Sequence, residues 1–175
     1  MHRARLPFAA QFRDALGVLL LIVHPVSAAA VTSDTAFDTL KGLQGKWAIQ
    51  SDGKTLPIQM SYDNGSKNSI VTEGFGKELS VFYRNGQALE MIHFCNRGNQ
   101  PRLRLKEDTR PGVLEFETFA VTNLGTASAD HVQRIIYRIL DENRIDLEIV
   151  WQVDNSQKSE KYTLTRQLPV SHTSP

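Results

Sequence analysis

The sequence predicts an all-β domain, an antiparallel up-and-down barrel of about ten strands with one short N-terminal helix plugging one end. Three observations predict it. From Trp47 onward apolar residues recur with period two, the spacing that puts alternate side chains on one face of a strand. The alternating runs are short and are separated at even intervals by turn-formers, among them Asn85-Gly86, Arg97-Gly98-Asn99 and Arg110-Pro111-Gly112. Asn-Gly accepts the positive φ of two-residue hairpins, so successive strands become antiparallel neighbours. Ten such strands, with no helices to cover a sheet, lose their exposed edges by closing; a two-sheet sandwich is the competing arrangement.

Residues 1–28 carry arginines first, then an apolar run over 15–23, then small residues ending Val26-Ser27-Ala28. That order is what a secretory signal peptide needs, and the run is too short for a membrane span. An exported protein, periplasmic or extracellular, is expected, with no transmembrane segment after cleavage. A polar spacer over 29–36 precedes a barrel domain over 37–168 and a disordered tail over 169–175. Ser33-Asp34-Thr35 offers capping oxygens, and Phe37, Leu40 and Leu43 recur at three-residue spacing until Gly42 and Gly45 break the pattern, which marks the short helix.

Strands are expected over roughly 45–51, 56–62, 68–74, 78–84, 87–95, 101–107, 112–120, 131–140, 144–153 and 160–167. The ninth shows the pattern best: Ile145, Leu147, Ile149, Trp151 and Val153 share one parity, against Asp146, Glu148 and Gln152 on the other. In the eighth, His131, Ile135, Tyr137 and Ile139 oppose a set containing Arg134 and Arg138. Each strand therefore has one drier face, which a barrel turns inward. Asp63-Asn64-Gly65 and Asp154-Asn155-Ser156 are read as turns.

The chain has 175 residues, about 147 once 28 are removed, which is one domain's worth. Hydrophobic residues at 41% and charged residues at 22% exclude long disorder and a multi-span helical membrane protein. Net charge is +1; the leader holds Arg3, Arg5, Arg13 and Asp14, which leaves −1 for the remainder. That balance argues against nucleic acid or an anionic membrane as partner. The single cysteine, Cys95, rules out an intramolecular disulfide, so the core alone must hold the fold. A homodimer, through Cys95 or a sheet edge, is the remaining macromolecular expectation.

Leu43-Gln44-Gly45-Lys46-Trp47, a Gly-x-Trp that follows a short helix and opens the first strand, resembles the start of lipocalin-type (calycin) barrels. The resemblance implies an arginine from the last strand packed over this tryptophan, and Arg166 stands in that place. His93-Phe94-Cys95-Asn96-Arg97-Gly98-Asn99-Gln100-Pro101-Arg102 resembles a signature of exported, lipocalin-like bacterial proteins of uncharacterised function. In it a His-aromatic-Cys strand end runs into Gly-Asn-Gln-Pro-Arg. The resemblance spans 40–166 and implies a fold without an activity. Phe94 stands where tyrosine is expected, and Gln133 stands near the place of a second histidine.

In an up-and-down barrel alternate connections share an end, so the links after strands one, five, seven and nine form one rim while the helix and Trp47 mark the other. That rim would gather His93, Cys95, Asn99, Gln100, Arg102, Asn123 and His131, with Tyr137 deeper on the same strand as His131. The expected form is an apolar cup with polar groups at its lip, which suits a small apolar or amphipathic ligand. Arg102 would pair with a carboxylate or phosphate on that ligand. The competing expectation for the amides is that they bond turn backbone.

Two further readings compete. No cofactor is expected outright, but a haem or metal protein would use His93, with Met91 on its face, or His131; a metal would draw on His93, Cys95 and His131. The other is a barrel with a packed lumen that acts through its surface as an envelope or interaction module. Serine-nucleophile elbows, phosphate-binding loops and dinucleotide glycine patterns are absent, so the sequence gives an enzyme no support.

Overall fold

The computed structural model describes residues 30–107, 109–126, 129–154 and 156–168. The expected leader and tail lie outside the described residues. Helix α1 spans Ser33–Gly42. Its cap is Thr32 rather than a residue of 33–35: the Thr32 hydroxyl accepts from the Thr35 amide while Thr35 returns the bond to the Thr32 amide. Ala36, Phe37 and Leu40 face inward from it, joined by Leu43. The stretch read as a spacer is already part of the packing, since Val31 and Ser33 are buried and the Val31 amide donates to the Thr109 carbonyl.

The strands are β1 Gly45–Ser51, β2 Lys54–Gly65, β3 Ile70–Phe75, β4 Glu78–Asn85, β5 Ala88–Phe94, β6 Gln100–Leu105, β7 Val113–Thr122, β8 His131–Asp141, β9 Arg144–Val153 and β10 Ser156–Gln167. Each pairs antiparallel with its neighbours in sequence, and β1 with β10 closes the cylinder. The sandwich is thereby excluded. No described helix is long and apolar enough to cross a membrane.

One expected turn is instead strand, and a second gives up its last residue to a strand. Asn64 and Gly65 pair with Val71 and Ile70, and the reversal falls on Ser66, Lys67 and Asn68, all at positive φ. Asn64 stays in the strand because its amide has work there, donating to the Lys41 carbonyl and the Gln44 side chain and so tying β2 to the helix. Asp154 keeps the second turn, at positive φ, while Ser156 opens β10 by pairing with Val153.

The helix closes the end where the even-numbered links lie. The Ser33 hydroxyl accepts from the Leu89 amide and donates to Glu107, and Asp34 pairs with Arg84. At the same end Arg166 lies 4.4 Å over the Trp47 ring and donates to the carbonyls of Gly42, Leu43, Gln44 and Glu142. Gly45 makes this approach feasible: its φ is +128°, and a Cβ there would sit 3.3 Å from Arg166 Nη1.

The middle of the cylinder is filled by side chains. Phe82, Phe116 and Tyr137, from β4, β7 and β8, are fully buried and meet edge to face with centroids 5.4 to 6.2 Å apart. The Tyr137 hydroxyl donates to Glu73 Oε2 at 2.7 Å. Strands β8 and β3 stand five places apart in a ring of ten, so this bond crosses the full lumen.

Candidate functional site

The opposite end, formed by the odd-numbered links, carries a polar row that the pairing register assembles. Directly paired residues share a face, and Tyr62, Glu73, Ser80 and His93 are successive partners across β2, β3, β4 and β5. All four are buried. One step closer to that end, Phe75 pairs with Glu78, and Cys95 follows two residues after His93 on the same face.

The hydrogen bonds along this row couple its protons. Ser80 donates its single hydroxyl proton to Glu73 Oε1 at 3.2 Å, and its oxygen lies 3.1 Å from His93 Nδ1. With Glu73 ionised, that oxygen accepts from Nδ1–H and the neutral ring presents a bare Nε2; a proton on Glu73 Oε1 would reverse both bonds. Nε2 is buried, has no hydrogen-bond partner, and lies 3.8 Å from Glu78 Oε2. Cys95 Sγ lies 3.6 Å from Glu78 Oε1, which also accepts from the Asn96 amide. One ligand atom from each of Glu78, His93 and Cys95 falls within 4.8 Å of the others.

Burial dominates the electrostatics. It raises the Glu73 carboxyl, opposed by bonds from Tyr137, Tyr62 and Ser80, and it raises both tyrosine hydroxyls well above their ordinary value. Burial also holds His93 towards its neutral form against the pull of Glu78, and it pushes the Cys95 thiol up. Tyr162, which meets Phe75 edge to face with centroids 5.5 Å apart, is pushed to about 12 by burial and by Glu160 and Glu78.

The residues expected at the rim separate into three groups. His93, Cys95 and Asn99 face the lumen; Asn99 donates to the Asp130 carbonyl, while its Oδ1 is buried without a partner. Gln100 and Asn123 both donate to the Gly98 carbonyl; the Gln100 bond is local to the β5–β6 link, and the Asn123 bond ties that link to the β7–β8 link. Arg97 reinforces this tie through Asp130 and by lying 4.8 Å over the Trp151 ring. Arg102 and His131 point away from the lumen.

Arg102 lies within β6, on the outer wall with Arg104 rather than at the rim. Both flank Glu90 and cover Phe119. His131 is turned by a bulge: the pairing of β8 with β9 shifts between Val132 and Arg134, so Gln133 is the extra residue. Val132 therefore faces inward opposite Trp151, and His131 faces outward opposite Gln152, with Nδ1–H donating to the Ala129 carbonyl at 2.8 Å. Tyr137 is far below the rim in the aromatic layer.

Sequence reasoning missed Glu73, Glu78 and Ser80. A signal existed: Val71, Glu73 and Phe75, then Glu78, Ser80 and Phe82, are inward runs in which a polar residue breaks an apolar parity. A buried polar residue demands partners, and two such breaks on neighbouring strands supply them.

A closed ten-strand antiparallel barrel with a leading helix is compatible with a lipocalin-like fold. Neither a scan of known family models nor a search of curated proteins matches anything to this chain.

Proposed function

We propose that the protein binds a small, hydrogen-bonding molecule at the open end of the barrel, after export by the N-terminal leader. The observation that carries this reading is the pair of buried, unpartnered atoms on the inner wall there, His93 Nε2 and Asn99 Oδ1. An orphaned buried polar atom costs about 1–3 kcal/mol, which a bound partner returns. The aromatic layer of Phe82, Phe116 and Tyr137 sets the depth, so the guest is shallow and polar at its anchor rather than largely apolar. A haem draws less support: Nε2 of His93 faces a carboxylate and a thiol at close range, where a macrocycle would have to lie.

The packed mid-lumen favours a second reading, a module that acts through its surface, with Phe119 between Arg102 and Arg104 as the exposed patch. Ligand-observed NMR of a polar fragment library against the wild type, His93→Ala and Asn99→Ala separates the two. The binding reading expects fragments that are held by the wild type and released by both variants at unchanged folding. Fragments held equally by all three proteins, or by none, contradict it and leave the surface module.

A further inference from the structure

We propose that Glu78, His93 and Cys95 form a binding site for a thiophilic divalent transition ion of the zinc class. The proposal rests on the reading that the open end is the binding end, and it names the occupant. Three features carry it.

The first is distance. In tetrahedral zinc sites with Zn–S of about 2.3 Å and Zn–N or Zn–O of about 2.0–2.2 Å, neighbouring ligand atoms stand about 3.3–3.7 Å apart. Here Sγ lies 3.6 Å from one Glu78 oxygen, Oε1, and Nε2 lies 3.8 Å from the other, Oε2; taking one ligand atom per residue, the three fall within 4.8 Å of one another, so the side chains must draw in to reach tetrahedral spacing. The second is the tautomer. A metal-bound histidine donates its remote N–H to a supporting acceptor, which orients the ring and exposes the ligating lone pair. His93 Nδ1 has that support in Ser80, itself tied to Glu73, and Nε2 is the buried atom without a hydrogen-bond partner. The third is charge. Among the described residues Glu78 has no lysine or arginine within ion-pair distance, so a dication would meet a carboxylate uncompensated by any such pair.

The donor set of one thiolate, one imidazole and one carboxylate suits zinc better than magnesium or calcium, which prefer oxygen alone. Binding breaks the Cys95 S–H bond, forms the S–metal bond and releases one proton to solvent, with no change of oxidation state. Three protein ligands leave one tetrahedral position for water or for a polar group of the small guest.

The test uses the full chain with metal removed by chelation, titrated with cobalt(II) chloride and separately with zinc chloride. Wild type is compared with Cys95→Ser, His93→Gln and Glu78→Gln, each nearly isosteric and checked for folding by circular dichroism. The expected result has four parts. Cobalt gives an intense tetrahedral visible spectrum with a thiolate charge-transfer band. That band is lost in Cys95→Ser. Zinc affinity falls at least tenfold in each variant. One proton is released per zinc at a pH below the thiol's own titration. A weak octahedral cobalt spectrum without charge transfer, or equal zinc affinity in wild type and Cys95→Ser, overturns the proposal. Fragment binding that still depends on His93 would then leave the small-molecule reading standing, whereas loss of both removes the open end as a site.

Discussion

The bond that crosses the lumen gives the fold its sharpest mutational test. Tyr137→Phe removes one hydroxyl and keeps the ring against Phe82 and Phe116, both 6.2 Å away between centroids. The hydroxyl is buried and donates at 2.7 Å to a carboxyl that is also buried, so its loss leaves Glu73 Oε2 without its shortest partner. A net bond is worth about 1 kcal/mol and an orphaned buried acceptor costs about 1–3, so a destabilisation of about 2 kcal/mol is expected. For a domain of this size that lowers Tm by about 4–8 °C. Urea unfolding followed by tryptophan fluorescence measures it, with the slope unchanged because no extra surface is exposed. A double-mutant cycle with Glu73→Ala, which removes the acceptor, should show coupling of about 0.5–3 kcal/mol, since the two groups share one bond. A Tyr137→Phe protein within about 0.5 kcal/mol of wild type, the scatter of neutral substitutions, would refute the buried bridge.

Other expectations follow from the same packing. Burial raises the Glu73 carboxyl, so the folded state keeps a proton that the unfolded chain gives up; stability is fully present below the unfolded value and falls as pH rises through the folded one. Glu73→Gln cannot ionise, so its stability relative to wild type should improve from acid to neutral pH, and a pH series of urea midpoints would show it. Phe116→Ala should cost about 3–5 kcal/mol and open a cavity that binds benzene, which thermal shift and NMR would detect; wild type, with its mid-lumen filled, should not bind it. Arg166→Lys should destabilise by about 1–3 kcal/mol in urea unfolding, because an ammonium cannot serve several backbone carbonyls while stacking on Trp47.

The barrel was legible because burial on one face imposes period two on nearly every strand, and β1 and β9 run over the residues their alternation predicts. The site was legible only in part. His93 and Cys95 follow from the parity of β5, which has no bulge in its pairing with β4. His131 could not be placed that way, because the extra residue at Gln133 reverses parity while leaving no mark in composition. Arg102 was misplaced for a different reason: β6 begins at Gln100, so Pro101 already faces inward and Arg102 outward. The amides of Gln100 and Asn123 have the residue types of a polar rim, yet their bonds go to Gly98, a choice that depends on how two loops meet. Glu73, Glu78 and Ser80 acquire meaning only through register, since each finds its partner on another strand.

Imidazole 15N NMR of the histidines, recorded while zinc chloride and then a polar fragment are added, tests the account most directly. The two described histidines serve as each other's control, one facing the lumen and one facing out. At a pH where Glu73 is ionised, His93 is expected to start as the Nδ1–H tautomer and its Nε2 resonance to move on addition, while the His131 ring is unaffected. Movement of His131 with His93 unchanged, or a His93 ring protonated at Nε2 from the start, would contradict it.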